Sequence, residues 1–154
     1  HETTSDRTTN EAPPRKCRLG ILVCEDMWLP DTTETLAETG AELLIVINGS
    51  PFEHDKRDER VALACARVKE SGLPLSVNQV CGQDELVFEG ASFALDAKGG
   101  LAFQAPDWQE AVLPLHCVRC GAGWAIEGGA RAAQTEGLAG IYQAMVLGLR
   151  DYVT

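Results

Sequence analysis

Leu19-Gly20-Ile21-Leu22-Val23-Cys24-Glu25-Asp26 is the stretch on which the fold turns. A short apolar run with β-branched residues stops abruptly at polar ones, which predicts a buried strand over Leu19–Val23. Downstream, Pro30 and Asp31-Thr32-Thr33-Glu34 read as a helix start, with Asp31 as cap and Glu34 three residues on. Gly40 closes that helix. Leu43-Leu44-Ile45-Val46-Ile47 is a second buried strand, broken by Gly49-Ser50-Pro51. Val61, Ala64, Cys65 and Val68 then recur at helical spacing behind the charged run Asp55 to Arg60, and Gly72 ends that helix. Leu73 to Val80 predicts a third strand. Strand, helix, strand, helix, strand argues for an α/β layout with buried strands.

Outside this unit the pattern changes. Residues 1–17 are rich in Thr, Glu, Pro and Arg, carry no periodicity, and read as a flexible lead-in. Leu86 to Ala97 and Leu101 to Ala105 flank Lys98-Gly99-Gly100, a hairpin signal. Residues 116–137 are Gly- and Ala-rich with little periodicity and read as a linker. Residues 138–154 are helical, with Ile141, Ala144, Met145, Gly148, Leu149 and Tyr152 on one face and no further chain for that face to pack on.

The 154 residues suit one domain, and 45% hydrophobic and 23% charged residues are ordinary for a soluble protein. A net charge of −10 argues against nucleic acid or an anionic membrane as partner, since phosphate neutralisation needs Lys and Arg. No apolar run approaches the roughly 20 residues that cross a bilayer, and the polar start has no secretory h-region. Six cysteines would suit a disulfide framework, but the chain is long enough to build a core without staples and nothing marks it as secreted. The expectation is a reduced, cytoplasmic protein.

Cys24, directly after a buried strand, stands where α/β sheets place their sites. Backbone N–H groups in the following turn would hold an oxyanion, while the neighbouring carboxylates Glu25 and Asp26 work against a reactive thiol. Position alone leaves a buried, inert Cys as the alternative.

Four longer stretches go further: Val23-Cys24-Glu25-Asp26-Met27-Trp28, the run from Ala41 to Phe52, Val77-Asn78-Gln79-Val80, and the run from Gly82 to Phe93. Together they resemble the nitrilase, or carbon–nitrogen hydrolase, superfamily. Within it they are most similar to the glutaminase domains of glutamine-dependent NAD synthetases, and Gly82-Gln83-Asp84-Glu85-Leu86-Val87-Phe88 is the most specific piece. The run from Ile141 to Val153 resembles the helix that opens the synthetase domain of the same enzymes. The resemblance implies a partial four-layer αββα sandwich. Residues 18–115 would be the C-terminal part of the glutaminase domain, 116–137 a linker, and 138–154 the start of an ATP pyrophosphatase-type synthetase domain.

What the resemblance implies is glutamine hydrolysis by a Cys thiolate, through a thioester. The ammonia released serves ATP-dependent amidation of nicotinic acid adenine dinucleotide to NAD. Cys24 matches the nucleophile, the Glu25 backbone N–H an oxyanion donor, and Ser50 a position that helps hold glutamine; Arg60 is a further candidate there, or else a solvated helix charge. No cofactor is expected in this segment, since ATP and magnesium belong to the synthetase domain. A homo-oligomer is implied. The family's catalytic Glu and Lys lie upstream of its Cys, and the chain starts after both, so alone it is expected to turn over glutamine negligibly. Cys81 stands where the family usually has Gly, and is expected to be tolerated in packing. The rival readings are a stand-alone nitrilase-type amidase and a catalytically inert fragment.

Three further features bear on function. Cys117-Val118-Arg119-Cys120 has the spacing of half a zinc site or a redox pair, with His116 the one ligand candidate nearby; plain linker cysteines are the alternative. Gly121-Ala122-Gly123 follows no expected strand and is a poor phosphate loop. Asp84 and Glu85 face either the glutamine pocket or an ammonia tunnel, or else serve structural hydrogen bonds.

Overall fold

The structure is a computed structural model, and it describes residues 16–54, 56–76, 79–121 and 123–153. The lead-in up to residue 15 lies outside the described residues, as do Asp55, the Val77-Asn78 pair and Ala122.

Strand β1 covers Leu19–Val23, and a 3-10 turn, Cys24–Met27, follows it directly. Helix α1 (Pro30–Glu38) begins one residue before the expected cap: Leu29 is the N-cap, and Asp31 already lies within the first turn. Proline is suited to this place, because its missing N–H would have no intrahelical acceptor there. Gly40, at φ +89°, takes the chain out of the helix in a backbone conformation that side chains disfavour. Strand β2 (Leu43–Ile47) and helix α2 (Lys56–Ser71) match the expectation.

The third strand does not run from Leu73 to Val80. Among the described residues of that stretch β3, Leu75–Ser76, joins the main sheet, and Val80 instead starts β4 (Val80–Gln83), which pairs antiparallel with β5 (Leu86–Glu89) as a separate hairpin. The arm expected from Leu86 to Ala97 is likewise broken. Gly90 and Ala91 both have positive φ, at +73° and +53°, and turn the chain into β6 (Phe93–Leu95). The Lys98-Gly99-Gly100 hairpin signal is real, since β6 pairs antiparallel with β7 (Leu101–Gln104).

The main sheet has the order β1-β2-β3-β6-β7, with the first three strands parallel. One face packs under α1 and α2. Leu22, Leu44, Val46, Ala64, Val68, Phe93 and Leu95 form that core, each of the larger side chains contributing about 1.5–3 kcal/mol. Alternation along β6 sends Ala94 to the other face, where it joins Ala102, Phe103, Ala105 and Ile126 in a second cluster. The same face of β1 and of the end of β2 is open: Val23 is 57% and Ile47 59% exposed, while Leu43 at the start of β2 is buried.

The segment expected to be a linker is structured. Strands β8 (Cys117–Cys120) and β9 (Gly123–Ile126) form a hairpin, and residues 129–132 lie along β7 through Gly129 N–H to Ala102 O at 3.0 Å and Gln104 N–H to Ala130 O at 2.9 Å. Backbone pairing needs no side-chain period, so the pattern gave no sign of it.

Helix α3 covers Gly137–Val153, and it does have a seat. It lies on the β4–β5 hairpin through Gly148 and Leu147. A Cβ built on Gly82 would come within 3.2 Å of the Gly148 Cα, so the helix and strand touch backbone to backbone. Asp151 accepts the Gly82 N–H at 2.7 Å, and that bond, after the Arg150 guanidinium, holds its carboxyl below the usual range. Most of the expected apolar face, including Met145, Leu149 and Tyr152, points outward. Among the described residues no helix is long and apolar enough to cross a membrane.

Candidate active site

Because β1 and β2 are parallel and in register from Leu19 with Leu43 to Val23 with Ile47, their carboxyl ends meet at one edge of the sheet. That register brings Cys24 beside the segment that follows β2. Cys24 itself has φ +48°, an unusual conformation for a residue with a Cβ. Such a backbone costs on the order of 1–3 kcal/mol and persists only where its surroundings enforce it. Here the enforcing contacts include the Val23 N–H, which donates to Asp26 Oδ2 at 2.8 Å, and the Trp28 N–H, which donates to Glu25 O at 2.8 Å. The thiol is left half-buried at the head of a turn whose first N–H groups have no intrahelical acceptor.

Cys24 opens onto a cavity of about 350 Å³. Its wall comes from three places: Cys24, Glu25, Met27 and Trp28 after β1; Asn48 to Pro51 after β2; and Lys56, Glu59, Arg60 and Leu63 from the first two turns of α2. All four residues expected from sequence, Cys24, Glu25, Ser50 and Arg60, border this one cavity.

Arg60 is not a solvated helix charge. It is 6% exposed, and one guanidinium nitrogen is ion-paired to the buried Glu89. Its other terminal nitrogen, Nη1, is buried with no hydrogen-bond partner among the described residues. The cation with the freer reach is Lys56, one helical turn earlier, which is ion-paired to the exposed Glu53. Sequence reasoning passed over Lys56 and Glu59. Their signal was available in the helical spacing, which puts Lys56, Glu59, Arg60 and Leu63 on one side of α2.

Other candidates sit elsewhere. Asp84, at φ +53°, and Glu85 form the turn between β4 and β5. They border a groove against Tyr142, Met145 and Leu149 of α3 rather than the Cys24 cavity. Cys117 and Cys120 are three apart on a strand and so point to opposite faces, which does not make a chelating pair. Among the described residues no group of three His, Cys, Asp or Glu side chains is placed to hold a metal ion. Burial raises the Cys117 thiol pKa, and burial together with Glu42 and Cys117 raises that of Cys17. Cys65 donates to Gly99 O at 3.4 Å, and Cys81 accepts from Gln79 Nε2 at 3.3 Å in a half-buried site, in keeping with a packing role.

A glutamine-dependent NAD(+) synthetase from Rhodobacter capsulatus is 46% identical to this chain over 136 residues, which is 88% of the chain and 25% of the synthetase. The structure of the glutamine-dependent NAD+ synthetase from Acinetobacter baumannii, in complex with adenosine diphosphate, superposes with a TM-score of 0.79 at 34% identity. That superposition covers 88% of this chain and 26% of the other. An (R)-stereoselective amidase from a Pseudomonas species is 40% identical over 93 residues, covering 59% of this chain and 33% of the amidase. The chain thus spans about a quarter of the length of the NAD synthetases it matches. The carbon–nitrogen hydrolase family matches over residues 4–119, well over half of the sequence. The α/β fold is accordingly nitrilase-like, and the chain belongs to the carbon–nitrogen hydrolase family.

Proposed function

We propose that Cys24 is the nucleophile of a glutaminase that supplies ammonia for NAD synthesis within a longer polypeptide. The observation that carries this reading is the Cys24 turn: a half-buried thiol, in a positive-φ conformation at the carboxyl end of a parallel strand, opening on a cavity that also holds Ser50 and a lysine. The length and identity of the match to the R. capsulatus synthetase support the choice of substrate.

On this reading the Cys24 sulfur attacks the side-chain amide carbon of glutamine. The developing oxyanion is held by the Glu25 backbone N–H. As the tetrahedral intermediate collapses, its nitrogen takes up the proton lost by the thiol and leaves as ammonia, and a γ-glutamyl thioester remains on Cys24. Water then attacks the thioester and releases glutamate. Ser50 and Lys56 hold the polar end of the substrate, and Lys56 leaves Glu53 to meet the carboxylate. Arg60, already committed to Glu89, shapes the wall. A base is needed to activate the thiol and the water, and the resemblance assigns that role to a Glu outside these residues. The ATP-dependent amidation of nicotinic acid adenine dinucleotide also falls to another part of the polypeptide.

The amidase similarity favours a second reading, in which the same thiol cleaves another amide and no synthesis follows. One experiment separates the two. In the full-length protein Cys24→Ala abolishes NAD synthesis from glutamine and leaves synthesis from ammonium unchanged, because ammonium bypasses the thioester. Loss of both in a folded protein contradicts the assignment, and absence of any NAD synthesis in the wild type favours the amidase.

A further inference from the structure

Glu89 ends β5, is 2% exposed, and lies outside the Cys24 cavity. Both of its carboxylate oxygens are taken by guanidinium groups of α2: Arg57 Nη2 lies 2.6 Å from Oε2, and Arg60 Nη2 is ion-paired to Oε1. Arg57 also reaches Asp107 Oδ2 at 3.2 Å, and Asp107 in turn accepts the Thr135 N–H at 2.6 Å. Two cations thus face two buried carboxylates, and the group as a whole is neutral.

The position of this group along α2 matters. The buried apolar residues of the helix, Ala64 and Val68, belong to its middle and later turns, and Arg60 is the one fully buried residue of the first two turns. Those first turns are the ones that wall the cavity, through Lys56, Glu59 and Arg60. The cavity-lining end of α2 thus joins its ion pairs to Glu89 to the partly buried Val61 and Leu63, which pack against the core, and the far end adds the fully buried Ala64 and Val68.

We propose that Glu89 is a positioning residue for the Cys24 site: by holding Arg57 and Arg60 it sets where α2 presents its wall to the thiol and to the polar end of an amide substrate. This rests on the glutaminase reading. Without the Glu89 charge, Arg60 loses the partner it has among the described residues, in a site where Nη1 has none among them. Its nearest relief is to swing toward the cavity it borders. The wall then loosens, substrate positioning suffers, and Cys24 becomes easier to reach.

The test uses the full-length protein with Glu89→Gln and, as a variant that keeps the charge, Glu89→Asp. Two readings are taken. The first is kcat/KM for glutamine beside the rate with ammonium. The second is the rate of iodoacetamide alkylation of Cys24 beside that of Cys65, which lies further along α2 against the core. The expectation for Glu89→Gln is a fall of about 10²-fold in glutamine kcat/KM, an unchanged ammonium rate, faster alkylation of Cys24 and unchanged alkylation of Cys65. Glu89→Asp, which keeps the charge, shows the same changes at a smaller size, and if Glu89→Gln fails to fold these same readings on Glu89→Asp decide the proposal. An unchanged glutamine kcat/KM overturns the proposal, and so does a parallel rise at Cys65, which marks general loosening. If the wild type does not use glutamine, it is the glutaminase reading that fails, and alkylation still decides the positioning role: a rise at Cys24 alone upholds it, while no rise or a rise at both sites overturns it.

Discussion

Helices α2 and α3 are nearly equal in length, 16 and 17 residues, and each carries an apolar stripe at helical spacing. Their fates differ. α2 turns its stripe into the sheet, with Ala64 and Val68 fully buried. α3 turns most of its stripe outward, leaving Met145 68% and Tyr152 83% exposed, and sits instead on a seat of small residues where Gly148 meets Gly82. A stripe tells which side of a helix gains from burial. It does not tell whether a partner surface is there, and where the nearest surface is a glycine-lined hairpin, close backbone approach decides the seat.

The contrast can be broken from either side. Val68→Ala removes two methyl groups from the packed end of α2 and should cost about 2–3 kcal/mol of unfolding free energy, read by chemical denaturation; a cost no larger than that of a surface change would mean that α2 is not seated by its stripe. Gly148→Val should cost less, about 1–2 kcal/mol, with the effect confined to α3. Its Cβ would press on Val87 Cγ2, 3.2 Å away. Hydrogen exchange should then quicken through α3 and β4 while β1 and β2 stay protected. Met145→Lys should change stability by less than about 0.5 kcal/mol in the chain as described here, and a larger loss would show that this face is already covered.

Much of the unit around Cys24 was legible in the residues, because β1 stops at polar residues and α1, β2 and α2 have clear stops at Gly40, Gly49 and Gly72. Their parallel pairing then places Cys24 and Ser50 at one edge without further information. Three things were not legible. The third strand was overextended because Leu73 to Val80 is apolar enough to continue, yet Val80 belongs to the separate β4–β5 hairpin. The β8–β9 hairpin and the 129–132 edge pair through their backbones, which leave no mark on a Gly- and Ala-rich pattern. The partner of Arg60 was invisible as well, because Glu89 is 29 residues away and only the β4–β5 hairpin brings it under α2. That distant carboxylate is why Arg60 reads as a surface charge in sequence and is buried in the fold. Lys56 and Glu59 share the helical side of Arg60, so their place at the cavity follows from the spacing along α2.

The central claim is that Cys24 carries the acyl group. The direct measurement is to mix the full-length protein with glutamine, quench in acid during turnover, and map the modified peptide by mass spectrometry. A γ-glutamyl group on the peptide containing Cys24, absent after Cys24→Ala and absent from Cys17, Cys65, Cys81, Cys117 and Cys120, is the predicted result. Sustained glutamine hydrolysis with the acyl group on another cysteine, or undiminished in Cys24→Ala, would contradict it.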